Sequence, residues 1–172
     1  MGGCARAPAH VVRKVIADPL AFAHNVRVTG VPELSARLRG VVDALPLAPG
    51  MRVLEVGGAP GAAARAVAAA VGPTGHVMVL DRSRTGIDLT ERACRPEIEA
   101  GVLSTLCAPV ERFELPAGVP LFDVAFACRV GALDGRHPKL YADAIARLRR
   151  ALVPGGILYV DTGDPLTAIP LD

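Results

Sequence analysis

Tryptophan is absent from this 172-residue chain, and aromatic residues of every kind make up 3% of it. A surface that stacks bases on aromatic rings, the usual device of RNA-binding modules, is therefore not expected. Neither sign of charge is in excess: 19 Lys+Arg oppose 17 Asp+Glu, a net charge of +2. That balance does not point to a polyanionic partner. Lysine is scarce, with 2 residues against 17 arginines, which reads as compositional bias. The four cysteines (Cys4, Cys94, Cys107 and Cys128) form no CxxC pair and match no zinc-ligand spacing. Free thiols in a reducing compartment are the simpler expectation. No stretch reaches the ~20 uncharged apolar residues that a membrane span needs. The opening MGGCARAPAHVVRK lacks the basic-then-apolar order of a secretory signal. These absences together predict a soluble cytoplasmic protein.

What the chain has in quantity is apolar residues, 51% of the total and many of them alanine. A chain of this length suits one domain and buries roughly 70% of the surface it exposes when unfolded. The first forty-odd residues are more polar and irregular. Val11–Ala23 reads as a short helix interrupted by Pro19. Pro32–Leu45 reads as a helix with apolar residues at helical spacing, stopped by Pro46, Pro49 and Gly50. From Met51 strands and helices alternate. Strands are predicted at Arg52–Val56, His76–Leu80, Val102–Cys107, Leu121–Cys128 and Ile157–Asp161. Helices are predicted at Pro60–Val71, Gly86–Ala100 (divided by Pro96) and Pro138–Leu152, with a turn at Pro154-Gly155-Gly156. This alternation of near-continuous apolar strands with helices implies a doubly wound, mostly parallel α/β sheet covered on both faces. We expect a helical cap over 1–46, an α/β core over 47–161 and a tail over 162–172, all within one domain.

The most informative segment is Val53-Leu54-Glu55-Val56-Gly57-Gly58-Ala59-Pro60-Gly61. A strand runs into a bend of small residues, and a helix follows. Small residues let a ligand lie against backbone where a Cβ would collide, and the helix start offers unpaired N–H groups. In a doubly wound sheet this point is where the binding crevice forms. Asp81 closes the second strand, 24 residues after Gly57. A carboxylate there can accept from two adjacent ribose hydroxyls; the alternative is a cap for Arg82-Ser83-Arg84. The GxGxxG pattern is met only at its first position, since Ala59 and Ala62 occupy the third and sixth. A dinucleotide turn is therefore poorly supported, and the absence of GK[ST] excludes a P-loop.

Taken in order, LEVGGAPG, the Asp81 of VMVLDRS, FDVAFACRVGALD and LVPGGILYV resemble the landmarks of class I S-adenosylmethionine-dependent methyltransferases. The resemblance covers roughly Leu45–Val160. It implies a Rossmann-like methyltransferase fold with strand order 3-2-1-4-5 and S-adenosylmethionine as cofactor. It implies that Glu55, Val56, Gly57, Gly58, Ala59 and Gly61 shape the turn beside the methionine and ribose portions. It gives the ribose hydroxyls to Asp81, a flank of the adenine to Arg82, backbone contacts to Ala108, and a place near the donor methyl to Cys128. The chain departs from the pattern in three ways. The acid that often follows the third strand is missing from Cys107-Ala108-Pro109. Ala59 stands where glycine is common. Only Thr162–Asp172 follows the fifth strand, so the sheet is expected to be truncated there, with its edge covered by the tail, the N-terminal segment or a second subunit.

The implied reaction is methyl transfer to an oxygen or nitrogen of a small molecule. A phenol or amine acceptor benefits from a base. His137 in Leu133-Asp134-Gly135-Arg136-His137-Pro138 is the candidate, with Asp134 beside it; helix capping is the competing role for both. His10 and His24 would lie in a lid or on the surface, and His76 would be structural. Cys128 also reads as a buried thiol. Cys128-Arg129 stands where metal-using catechol-type relatives carry an Asp, and Ala127-Cys128-Arg129-Val130 replaces the Asn/Asp-Pro-Pro-aromatic motif of adenine and amide methylators. No metal is therefore expected. Arg129 could pair with an anionic substrate or the cofactor carboxylate. Arg147, Arg149 and Arg150 read as a solvated helix face. A degenerate cofactor-binding subunit or non-methylating catalyst, and an RNA methyltransferase, are the alternatives.

Overall fold

The computed structural model describes residues 34–171. The helix expected at Val11–Ala23, with His10, His24 and Cys4, lies outside them. The first described element is α1 (Ala36–Ala44), which starts where the Ser35 hydroxyl accepts from the Leu38 N–H at 3.3 Å. It ends at Leu45, whose extended backbone is what a following proline imposes. Then come β1 (Arg52–Val56), α2 (Ala62–Val71), β2 (His76–Asp81), α3 (Arg84–Ala93), α4 (Arg95–Glu99), β3 (Leu103–Cys107) and β4 (Phe122–Ala127). A 3₁₀ turn (Pro138–Leu140), α5 (Tyr141–Ala151), β5 (Leu152–Val160) and β6 (Thr167–Pro170) complete the chain. Pro96 falls in the first turn of α4 and accounts for the division of the predicted long helix.

The sheet order is β3-β2-β1-β4-β5-β6, with the first five strands parallel. Alternate residues of each central strand point to opposite faces, and both sets are apolar apart from Glu55 of β1, Asp123 of β4 and the strand ends. Leu54, Val56, Met78, Leu80, Phe122 and Leu158 pack under Leu148 of α5. Val53, Val77, Val79, Val124 and Phe126 pack under Val41, Val67 and Ile87 of α1, α2 and α3. A strand buried on both sides has no polar face, which is why these segments read as unbroken apolar runs.

Three expectations need correction. The helix expected from Pro60 starts at Ala62, with Gly61 as its N-cap. The fifth strand starts at Leu152, not Ile157: Leu152 pairs with Phe122, and a register shift at Pro154-Gly155-Gly156 restores pairing at Val124 with Ile157. The sheet is not truncated after that strand, because β6 pairs antiparallel with β5 from Val160–Thr167 to Ile157–Pro170. Four residues suffice for an edge strand, and an edge is where proline is tolerated. The tail therefore covers the edge of β5. Among the described residues no helix is long and apolar enough to cross a membrane.

Phe126 is fully buried near the carboxyl end of β4. Phe126→Ala is expected to cost about 3–5 kcal/mol, read as a lowered urea midpoint with an unchanged m-value. A shift below ~1 kcal/mol would show that the face under α1 and α2 is loosely packed.

Candidate active site

The parallel register sets the carboxyl ends of the strands side by side. Val56 is level with Leu80 on one side and Ala127 on the other, and Asp81 is level with Cys107. Beyond these ends lies a cleft of about 230 Å³. Val56, Gly57, Asp81, Arg82, Ala108 and His137 line it. Residues singled out from four separate segments thus meet at one place.

Gly57 turns the chain away from β1 at φ +73°, a left-handed backbone that favours glycine. Its N–H donates to the Leu80 carbonyl at 2.7 Å, which fixes the turn to the end of β2. A Cβ at Gly57 would come within 2.7 Å of the Val130 side chain. Val130 also lines the cleft and narrows it beside the turn. The Asp81 carboxylate is held from two directions. One oxygen accepts from the Ser83 N–H at 2.8 Å, and the other from the Ala59 N–H at 3.3 Å. A carboxylate has about four lone-pair sites, so both oxygens keep acceptor capacity toward the cleft. The competing role, a cap, is half realised: Asp81 receives Ser83, but the cap of α3 is the Ser83 hydroxyl, which accepts from the Gly86 N–H at 3.0 Å.

Other predicted residues lie outside the cleft wall. Glu55 is buried beneath the turn, 3% exposed, with Oε2 lacking a partner among the described residues. Burial, with the Asp81 charge adding to it, pushes its carboxyl up to about 8, against a smaller opposing pull from the Ala64 backbone. Gly58 is small because Glu55 lies against it: a Cβ would meet the Glu55 carboxyl carbon at 2.4 Å. Gly61 faces Cys94 Sγ and Thr90, at 2.7 and 2.9 Å from a built Cβ, and lets α2 approach α3. Ala59 acts through its backbone bond to Asp81. Cys128 packs against the cluster under α1 and α2, and burial pushes its thiol up to about 12. Cys94 is raised to about 12 for the same reason, so both thiols are neutral and structural.

His137 is exposed at the cleft mouth, its ring against Gly131. It caps nothing through its side chain, and neither does Asp134, whose carboxylate is taken by Arg136 Nε at 2.9 Å and Nη2 at 2.7 Å. That pairing holds the Asp134 carboxyl below its usual range. His76 lies at the far end of β2. Its Nδ1–H donates to the Gly101 carbonyl at 3.0 Å, which leaves Nε2 to accept from the Ser104 hydroxyl at 2.8 Å. Burial lowers its pKa, as befits a neutral structural histidine. Arg147 pairs with Glu114 at 2.9 Å, while Arg149 and Arg150 occupy the last turn of α5.

Sequence reasoning missed Glu111. It lines the cleft two residues beyond Cys107-Ala108-Pro109, where no acid was found. The direction of the turn at Pro109 brings it back, and an acid within a few residues of the strand end is the signal that would have found it.

The residues fit an adenosyl-bearing cofactor. The turn at Gly57 lies at the cleft wall, Asp81 offers acceptors for a diol, and the cleft alone is small by the ~300–1,000 Å³ standard of ligand sites. A neighbouring open hollow, walled in part by the same Arg129 and Arg136, adjoins it.

Comparison with known proteins gives the family and the fold class. The methyltransferase-domain family model matches residues 53–156, more than half of the chain. The chain belongs to the class I S-adenosylmethionine-dependent methyltransferase family. It is 35% identical over 113 residues to the ubiquinone/menaquinone biosynthesis C-methyltransferase UbiE of Bordetella avium, covering 65% of this chain and 41% of that protein. It is 28% identical over 165 residues to an uncharacterized 37.1 kDa protein in transposon TN4556 of Streptomyces fradiae, covering 94% and 43%. The chain thus spans about two fifths of the length of these curated relatives. In fold it is similar to an S-adenosylmethionine-dependent methyltransferase from Thiobacillus denitrificans solved with S-adenosyl-L-homocysteine, at TM-score 0.56 and 22% identity, covering 75% of this chain and 48% of that one.

The Glu55 shift has a consequence for stability. The folded state keeps a proton up to pH about 8, whereas the unfolded chain loses it near 4.5. Between those values the native state binds more protons than the unfolded state, so this group's contribution to stability falls as pH rises. We expect Glu55→Gln to gain on the wild type by up to about 1.4 kcal/mol per pH unit across that window, measured by urea unfolding at several pH values. Parallel pH profiles for the two proteins would refute a buried, proton-retaining Glu55.

Proposed function

We propose that the chain binds S-adenosylmethionine across the β1 turn and the end of β2 and transfers its methyl group, without a metal, to an oxygen or nitrogen of a small molecule. The observation that carries this reading is the Asp81 carboxylate. It is fixed at the cleft wall by two backbone donors and retains lone pairs for two more. A ribose diol presents two O–H donors on adjacent carbons, which one carboxylate can accept together. Arg82, Ala108 and Glu111 would flank the base beyond the sugar, Glu111 serving as acceptor for an exocyclic amine.

When bound, S-adenosylmethionine supplies a carbon already activated by its positive sulfur. The protein's own tasks are alignment and the exclusion of water. His137 stands at the cleft mouth, where it can take a proton from the acceptor. The reading dispenses with a metal because Cys128-Arg129 occupies the strand end where metal-using relatives carry an acid. Carbon as acceptor is the second reading, favoured by the identity to the Bordetella avium C-methyltransferase.

Calorimetric titration with S-adenosylhomocysteine tests the cofactor. Asp81→Ala is expected to weaken binding by ~2 kcal/mol, roughly thirtyfold, through loss of two hydrogen bonds to a charged acceptor. Equal affinity in the two proteins would place the ribose elsewhere. Transfer of radiolabelled methyl to a panel of phenols, amines and activated carbon acids separates the acceptor classes. His137→Ala is expected to lower that rate by about 10²-fold or more with cofactor affinity unchanged. An undiminished rate would remove His137 from the chemistry.

A further inference from the structure

The open hollow beside the cleft is walled by three guanidiniums and two carboxylates: Arg37, Arg129, Arg136, Asp134 and Asp161. It lies past the ends of β4 and β5, since Arg129 follows β4 by two residues and Asp161 follows β5 directly. Both carboxylates are already engaged. Asp161, whose side chain is 8% exposed, accepts from Arg37 Nη1 at 2.6 Å. Asp134 pairs with Arg136. Among the described residues no carboxylate pairs with the Arg129 guanidinium, so the hollow carries one unbalanced positive charge.

Arg129 is also the one described non-glycine residue with positive φ, at 56°. A residue with a Cβ adopts that backbone at a cost, and only where its surroundings impose it. Here they do so from both sides. The Arg129 N–H donates to Asp161 Oδ1 at 2.9 Å, and its carbonyl accepts from Arg136 Nη2. The same ion pairs that neutralise Arg37 and Arg136 therefore hold Arg129 in place. Arg129 lines both the cleft and the hollow.

We infer that the hollow is the acceptor subsite and that it selects small molecules bearing a carboxylate or phosphate group, gripped by the Arg129 guanidinium. A planar guanidinium with five donors suits either oxyanion in bidentate fashion. The inference rests on the cofactor reading above. With the sugar at Asp81 and the donor along the β1 turn, the hollow adjoins the other end of the cleft, at Arg129 and Arg136. The cofactor's own carboxylate is the competing partner for Arg129, and the experiment separates the two.

The probes are phenyl phosphate and benzoate, with benzyl alcohol as the neutral control, titrated by calorimetry into protein saturated with S-adenosylhomocysteine. Binding of at least one anion but not of the alcohol is expected. Arg129→Gln should weaken that binding by roughly tenfold or more, and Arg129→Lys by less, with unchanged circular dichroism. S-adenosylhomocysteine and 5′-methylthioadenosine, which lacks the carboxylate, should each keep their affinity in Arg129→Gln. If that variant weakens S-adenosylhomocysteine but not 5′-methylthioadenosine, the guanidinium serves the cofactor and the inference is overturned. It is equally overturned if neither anion binds at about 10 mM, a concentration that would reveal even millimolar affinity. Failure of S-adenosylhomocysteine to bind the wild type would instead sink the cofactor reading. Anion binding that Arg129→Gln abolishes would then leave the oxyanion subsite standing by itself.

Discussion

The site depends on the joint between the turn after β1 and the end of β2. Three backbone donors make it: Gly57 N–H to the Leu80 carbonyl, and Ala59 and Ser83 N–H to the two oxygens of Asp81. The joint exists only because β1 and β2 run parallel and in register, so that Val56 ends level with Leu80. A slip of one residue would send Asp81 to the other face of the sheet. The apolar packing on both faces, which is spread over two clusters, resists that slip. The core thus acts on the site indirectly, by fixing a register that a few hydrogen bonds then convert into a placed carboxylate.

Two carboxylates approach this joint, and their environments separate them. Glu55 sits buried beneath the turn with an oxygen that has no partner among the described residues, and it retains its proton at neutral pH. Asp81 sits above the turn, partly exposed and supplied with N–H donors. Ionising Glu55 would cost its own desolvation and would add repulsion with Asp81. Keeping the lower group neutral leaves a single charge at the joint, facing the cleft. Gly58 is the means by which a glutamic acid fits beneath the turn, since any side chain there would strike its carboxyl. The second glycine of the bend therefore serves the residue below it, and the first serves the cleft.

The parts of this arrangement that were legible in the sequence are those encoded locally. Buried parallel strands show as apolar runs, small residues mark the bend, and an acid closes the next strand. What was not legible depends on where the chain goes after it leaves an element. Glu111 reaches the cleft only because the segment after Ala108 folds back over it, burying Val110 and Phe113 on the sheet. The strand Thr167–Pro170 is short, follows Pro165 and ends in proline, and its pairing comes from the exposed edge of β5, not from its own pattern. The registers of Cys128 and Gly61 show the same limit. Both lie near the site in sequence, yet their side faces packing partners: the cluster under α1 and α2 in one case, Thr90 and Cys94 in the other.

The two ends of the cleft rest on different physics. The end near Asp81 is built from strand termini and backbone donors, which cannot move without disturbing the sheet. The end near Arg129 is built from ion pairs, one within the loop after β4 and one between α1 and the residue after β5. Pairs whose arginines stay half exposed add little to stability, because long side chains lose freedom in forming them. Their effect is geometric. Asp161 binds Arg37 with one oxygen and the Arg129 backbone with the other, so it joins α1 to the loop after β4 through one nearly buried carboxylate. Substituting that loop would change what the hollow recognises while leaving the register of β1, β2 and β4 intact. A fixed donor end and an adjustable acceptor end are what one scaffold needs if it is to serve different acceptors with the same chemistry.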